Sequence, residues 1–509
     1  MVSRRRFWFL LIFVIAVQAL PFVVALTRGV DGLVFGGFVL NPVDGNSYLA
    51  KMQLGWMGDW TFRLLYTAES GAEALLFLFY ISLGHVARVS DVSVVVVFHV
   101  ARLIASLGLF FAVARFFGRV FRGQQRIIDR AFVLAMVGGG LGALVLFGGY
   151  LPADVWVAEG YPYLSMLLNP HFPIGLALIL WLVQPDEGTA LGRKPWLRLG
   201  LGLLVSVIQP FGVVIVAVVL GVEMVWTWLE EKKVRLGRLL WSMGLGGPWL
   251  LAQFWMIRSN PVLAQWDAQN LTPAPPLWDL LLSLSPALIL AVAGGVMLWN
   301  TRNIPGRRVL LGWAVVGLLL IYLPFSLQRR FMTGIYVPMV GLAVLGVEAI
   351  LARRPGWKWL WPSVVGGSVL TNLLMLLITT AGVMGPDTGK LYMTVEERDA
   401  LVWLGETAPE GAVVLASPEL SMFVPAQTGR RVVYGHPFET VNAEDKENQV
   451  IRFFSGEMGS DLGRSFIEQN HVGYIVLGPR ERLLGMPTGL DKYPLGYDDG
   501  GVTIYVVRP

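Results

Sequence analysis

Apolar runs dominate the first three quarters of the chain, and their length rather than their period defines them. Residues 7–26, 92–114, 131–149, 168–183, 199–208, 213–229, 239–255, 277–299, 309–325, 335–351 and 359–383 consist mostly of Leu, Val, Ile, Phe, Ala and Gly. A helix rises about 1.5 Å per residue, so about 20 such residues cross a hydrocarbon layer of about 30 Å. The pattern therefore predicts about eleven transmembrane helices. The run 199–208 is short and stops at Gln209-Pro210, as a broken helix does where its freed backbone is buried in protein or faces a wet cavity. The run 7–26 follows Arg4-Arg5-Arg6. It is longer than a signal-peptide core, with no clear small-x-small cleavage site behind it, and reads as an uncleaved first span. A glycine cluster at 138–142 falls inside a predicted span, where it allows close helix packing.

Beyond residue 384 the pattern changes to charged and polar. A helical pattern at 395–407 and short Val-, Ile- and Tyr-rich runs at 412–416, 431–434, 474–477 and 502–507 predict a small α/β domain with buried strands. The fold class expected is a polytopic α-helical membrane protein, residues 1–384, followed by a soluble domain, residues 385–509.

Composition agrees with that division. The 509 residues are 55% hydrophobic and 15% charged, with a mean hydropathy of +0.60, too apolar for a soluble chain of this length. A net charge of +5 does not mark a nucleic-acid binder, because the cations lie in short loops between apolar runs rather than in a basic stripe interleaved with aromatics. With no cysteine, thiolate catalysis, disulfides and Cys-ligated zinc are excluded. His, Asp and Glu show no ligand spacing of the His-x-x-x-His kind, so neither a cofactor nor a tightly bound metal is expected.

The basic loops set the orientation. Arg115, Arg119, Arg122, Arg126 and Arg130 form one group, and Arg193, Lys194 and Arg198 the next. Lys232, Lys233, Arg235 and Arg238 follow, then Arg302, Arg307 and Arg308, then Arg353, Arg354 and Lys358. Every second loop is basic, which places the N-terminus in the cytoplasm and puts loops 29–91, 150–167, 258–276 and 326–334, with everything after 384, outside. Residues 73–89 are apolar enough for a further span, but counting them would put every later basic loop outside. They are read as a helix lying along the outer membrane surface within the long first external loop 29–91.

Polar groups at the outer ends of spans carry the candidate chemistry, since an ionisable group near lipid is costly and usually has a task. Asn41-Pro42-Val43-Asp44 opens a helix on which Asp44, Tyr48 and Lys51 share a face by i, i+4, i+7 spacing. Capping alone would account for the Asp and leave the Tyr–Lys pair unexplained. Glu159 is a second external acid, shortly before His171 in Asn169-Pro170-His171-Phe172-Pro173. An isolated histidine such as His171 is more often a hydrogen-bonded structural residue than a base, and the sequence supplies no obvious partner for it. Gln328-Arg329-Arg330 sits in an outer loop against the positive-inside trend. Guanidinium groups there suit a phosphate, or alternatively anchor a helix end at the headgroups. Arg102, near the outer end of the second span, and Asn270, in a later outer loop, are weaker candidates. In the soluble part, the turn-rich segment 425–440, which includes His436, is a candidate acceptor contact.

These features together resemble the GT-C superfamily of integral-membrane glycosyltransferases, particularly its protein O-mannosyltransferase and aminoarabinose-transferase branch. Asp44 with Tyr48 matches the acid and Tyr just past the first span, 73–89 the surface helix, Glu159 the second acid, and Gln328-Arg329-Arg330 the expected phosphate contacts. The resemblance implies an inverting transfer of sugar from a polyprenyl-phosphate donor to a hydroxyl on an extracytoplasmic glycan, lipid or protein. Under it Asp44 is the general base, Glu159 assists or binds acceptor, and Arg329 with Arg330 steadies the departing lipid phosphate. The competing expectations are a non-enzymatic transporter or flippase of lipid-linked saccharide, and an O-antigen ligase or polymerase using a diphosphate-linked donor. Either way the partners are membrane lipid and lipid-linked sugar, not nucleic acid, and the expected location is the plasma membrane.

Overall fold

The structure, a computed structural model, describes residues 2–28, 32–71, 73–301, 303–385 and 389–507. Arg302, counted above among the inner cations, lies outside them, as do residues 29–31 and 386–388 at the ends of two predicted outer segments. The chain forms two compact units. One gathers Met1–Leu20, His99–Ala252 and Leu271–Ile378; the other gathers Pro21–Phe98, Gln253–Asn270 and Thr379–Pro509.

The first unit is helical, and the chain as a whole is a helical membrane protein. Among the described residues Arg4–Arg28, Val94–Val120, Pro210–Glu231, Gln328–Arg353 and Leu360–Met384 are each long and apolar enough to cross a bilayer. Leu277–Leu284 and Ala287–Trp299 add one more if they count as a single span bent by 78°. Apolar side chains such as Phe9, Ile12, Ile289 and Leu319 stand more than half exposed, as expected where lipid is the solvent. Helices also approach closely at small residues. A Cβ on Gly294 would stand 1.8 Å from the carbonyl oxygen of Leu342, so the helices Ala287–Trp299 and Tyr336–Arg353 touch backbone to backbone.

Several predicted spans are interrupted. The run 239–255 is divided between Gly237–Met243 and Gly246–Ser259, and Leu197–Ile208 ends at Gln209, whose amide donates to the Thr333 hydroxyl at 3.1 Å. The run 131–149 is not a continuous helix, and its glycine cluster does not sit in a helix interior. Gln125–Val137 stops at Gly138, and only the single turn Ala143–Leu146 follows. The physical reason is that other polar groups take over the backbone there. The buried Asp154 carboxylate accepts from Gly140 N at 3.0 Å and Gly142 N at 3.1 Å, the Thr371 hydroxyl donates to Gly140 O at 2.9 Å, and Asn372 donates to Val137 O at 2.9 Å. Asp154→Ala strands two donors, each costing about 1–3 kcal/mol. A clear drop in the thermal unfolding midpoint of the detergent-solubilised chain is therefore expected.

The second unit is mixed. Pro42–Met57 packs on Leu78–Ser90 so closely that a Cβ on Gly55 would stand 2.0 Å from Ile81 O, and one on Gly84 1.9 Å from Met52 O. The segment 73–89, expected to be a helix along the surface, is helical only from Leu78, and its 13 residues are too few to span about 30 Å. Strand β1 (Leu33–Phe35) pairs antiparallel with β2 (Tyr392–Thr394). The remaining strands, β3 (Val413–Leu415), β4 (Arg431–Val432), β5 (Val472–Leu477), β6 (Leu495–Asp498) and β7 (Thr503–Val506), form one sheet in the order β4-β3-β5-β7-β6. β3 runs parallel to β4 and β5, while β7 is antiparallel to β5 and β6. Both faces are covered: Val414, Tyr474 and Val476 enter one apolar core, and Val413, Leu415 and Ile475 the other, following the two-residue alternation of a strand. The helix Val395–Thr407 begins with a capping box between Thr394 and Glu397.

Candidate active site

In the second unit the helix Pro42–Met57 opens at Asn41, held in the left-handed region at φ 46°. Asn41, not Asp44, is the cap: Asp44 N approaches Asn41 Oδ1 at 3.5 Å, and Asn41 Nδ2 donates to Asp44 Oδ2 at 2.5 Å. Asp44 thus sits in the first turn, where the helix dipole favours its charge, with its side chain 44% exposed. The residue after it is glycine for a packing reason, since a Cβ on Gly45 would stand 2.4 Å from the Phe38 ring.

The shared face of Asp44, Tyr48 and Lys51 grades from water into the core. Tyr48 stacks on Tyr80 with ring centres 4.3 Å apart. Lys51 is buried, its Nζ 2.6 Å from Glu439 Oε1 and 2.7 Å from Ser47 Oγ, with the Phe77 ring 4.6 Å away. Burial pushes the Glu439 carboxyl up, but the Lys51 ammonium and the bonds from Lys51 and Ser47 outweigh it and hold the group below the usual carboxylate range. Lys51 and Glu439 are therefore one buried ion pair joining the helix to the turn at 435–440. Glu439 lies in the candidate segment 425–440, but the sequence does not mark it as the partner of Lys51. The signal for it was Lys51 itself, flanked by Leu49, Ala50 and Met52, since a lysine so placed calls for an acid partner.

His436 lies on the same turn and is buried. Its Nε2 is 3.4 Å from Asp44 Oδ1, so two candidates from opposite ends of the chain meet. Phe438 N and Glu439 N both donate to His436 Nδ1, at 3.0 and 3.2 Å. The Thr440 hydroxyl accepts from Gly435 N and His436 N and donates to Tyr66 O at 2.6 Å. Asn270 ends the nearby helix Pro261–Gln269, but the bonds to this part of the chain come from its neighbours: Gln269 donates to Thr440 O at 2.6 Å and Gln265 to Asn442 at 3.0 Å.

In the first unit, Glu159 occupies the short turn Ala158–Gly160 and is buried. Its carboxylate lies 3.3 Å from Arg330 Nη1 and 3.9 Å from Arg329 Nε, and its carbonyl accepts from Gly334 N at 2.8 Å. The Arg329 guanidinium also covers the Trp156 ring at 4.4 Å. Gln328 serves the local fold, accepting from Ala274 N at 3.1 Å and donating to Leu323 O at 2.8 Å. Arg102 is buried and donates to Leu167 O. His171 is buried at the start of His171–Val183, with its ring 4.0 Å from that of Phe172. The structure thus joins Glu159 to both arginines, while Arg102 and His171 have their own packing partners. Among the described residues no group of three or more His, Asp or Glu is placed to hold a metal ion.

No protein-family model and no curated protein matches the sequence. Solved structures do match its fold. The oligosaccharyltransferase of Archaeoglobus fulgidus in its apo form superposes with a TM-score of 0.54 at 12% identity, over 99% of this chain and 74% of that one. The same enzyme tethered to an acceptor peptide containing the NVT sequon gives 0.52 at 12% identity, over 98% and 74%. The mycobacterial arabinofuranosyltransferase AftD gives 0.50 at 15% identity, over all of this chain and 40% of that larger one. At these identities the likeness is one of fold: the chain has the fold of these solved glycosyltransferases.

Proposed function

We propose that the chain is a glycosyltransferase that moves a sugar from a polyprenyl-phosphate donor to a hydroxyl on an extracytoplasmic glycan, lipid or protein, inverting the anomeric carbon. The observation that carries this reading is Asp44, an accessible carboxylate fixed at a helix start by Asn41 and faced by a buried histidine, in a chain of this fold. In the reaction the acceptor oxygen attacks the anomeric carbon, the bond to the phosphate oxygen breaks with its electron pair leaving on phosphate, and Asp44 takes the hydroxyl proton. Arg329 and Arg330 hold the lipid phosphate through charge-assisted hydrogen bonds, and the buried Glu159, within ion-pair distance of both, sets their positions. A lipid-linked donor supplies activated sugar where nucleotide sugars do not reach, and the sequence carries no Gly-rich phosphate loop.

The same proposal includes eleven crossings, several of them broken, in the plasma membrane. The N-terminus and basic loops are cytoplasmic, and residues 385–509 form the extracytoplasmic domain.

The test is to supply the purified chain in proteoliposomes with a labelled polyprenyl-phosphate sugar and an acceptor extract, and to identify products by mass spectrometry. Glycosylated acceptor with free polyprenyl monophosphate is expected. Label that crosses the bilayer with no covalent product would identify a flippase, and a requirement for diphosphate-linked oligosaccharide a ligase or polymerase. Replacing Arg329 and Arg330 together by Ala is expected to raise KM for the lipid donor about tenfold or more, with thermal unfolding as the control for folding.

A further inference from the structure

Two backbone donors fix the chemical state of His436. Nδ1 receives the N–H groups of Phe438 and Glu439, so it presents a lone pair, and the single ring proton of the neutral imidazole sits on Nε2. That Nε2 is buried and has no hydrogen-bond partner among the described residues, and Asp44 Oδ1 stands 3.4 Å from it. An unmet buried donor costs free energy, so the arrangement calls for a reason. The turn around it is heavily built: Thr440 ties down Gly435, His436 and Tyr66, and Glu439 is anchored to Lys51 and Ser47.

We infer that His436 is a positioning residue, held as its Nε2–H tautomer by the 435–440 turn so that it directs the Asp44 carboxylate toward the acceptor hydroxyl. The inference rests on the transferase reading for the role of Asp44, though not for the tautomer or the pairing. Donors to catalytic carboxylates are commonly long in the unliganded enzyme and shorten when substrate is bound. Asn41 Nδ2 already holds one Asp44 oxygen, and His436 Nε2 stands 3.4 Å from the other.

Two substitutions separate this role from a merely structural one. His436→Asn places an amide oxygen where Nδ1 accepts, preserving the turn, but has no donor long enough to reach Asp44. His436→Gln places an amide donor near the position of Nε2 and gives up the acceptor at Nδ1. Expected for His436→Asn are a wild-type unfolding midpoint, an acceptor KM within about twofold, and a kcat lower by about tenfold to a hundredfold, as is usual when an orienting partner is lost. Expected for His436→Gln are a lower midpoint and a kcat nearer wild type. Wild-type kcat in His436→Asn would overturn the inference while leaving the transferase reading standing.

A second readout does not depend on turnover. In ¹⁵N-histidine-labelled protein, with the His436 signals assigned by their absence from His436→Asn, the Nε2-protonated pattern is expected. Asp44→Asn should shift the Nε2 signal. If the wild type transfers no sugar, the transferase reading fails and this spectrum alone judges the pairing. An Nδ1-protonated ring, or a signal indifferent to Asp44→Asn, would overturn it.

Discussion

Asp44→Asn is expected to lower the turnover of sugar transfer by about a thousandfold, within the 10²–10⁴ range typical for loss of a general base. Asparagine matches the size of the side chain and keeps an oxygen for the Asn41 amide, but it cannot accept the proton that the acceptor hydroxyl must lose. Donor KM should change little, because in this account the lipid phosphate is held by Arg329 and Arg330. Asp44 is exposed and in the first turn, so its stability contribution is at most the helix-dipole term, about 0.3–1 kcal/mol. A near-wild-type unfolding midpoint with a collapsed rate is therefore the expected pattern. Unchanged turnover would remove Asp44 as the base.

The second large effect is on stability. Lys51→Met leaves the Glu439 carboxylate buried without its ammonium partner, and breaking a buried pair from one side costs about 3–5 kcal/mol. The variant is expected to unfold at a markedly lower temperature, and adding Glu439→Gln should restore much of the loss. The pH dependence has a definite sign. The folded-state pKa of Glu439 is depressed, so its contribution is present above the ordinary carboxylate pKa and is lost as pH falls through the lower folded value. Wild-type protein should therefore lose stability on acidification below the usual carboxylate range, and the double variant should lose less. A Lys51→Met midpoint equal to wild type would show that the pair does not hold the turn to the helix.

What the sequence revealed follows from the range of each signal. Helix Val395–Thr407 was read at its observed bounds because its cap and its period are local, and β3, β5 and β7 were found because each is an apolar run. β6, Leu-Gly-Tyr-Asp, was missed because Gly and Asp are poor strand formers and most of it is exposed. The glycine cluster at 138–142 does allow close packing, since a Cβ on Gly140 would stand 1.9 Å from Ser283 O in the helix Leu277–Leu284, but it lies between helices rather than inside one. What decides that segment is Asp154, whose bonds to Gly140 and Gly142 no periodicity reveals.

The candidate site shows the same division. Spacing put Asp44, Tyr48 and Lys51 on one face, but only packing showed that this face runs from solvent at Asp44 to a buried ion pair at Lys51. Glu159 stands out as a second acid in an outer loop, and Arg330 as a cation against the positive-inside trend. That the first neutralises the second is a tertiary fact. His436 was singled out for its turn-rich surroundings. Its contact with Asp44 depends on β-sheet and turn geometry that places the end of the chain beside the helix following the first apolar run.

The most direct test of a single displacement with Asp44 as base is the configuration of the product. With a polyprenyl-phosphate sugar of known anomeric configuration, the proton NMR coupling at the anomeric position of the transferred sugar should show inversion. Retained configuration would require a nucleophile on the enzyme and a second displacement, and would contradict the account.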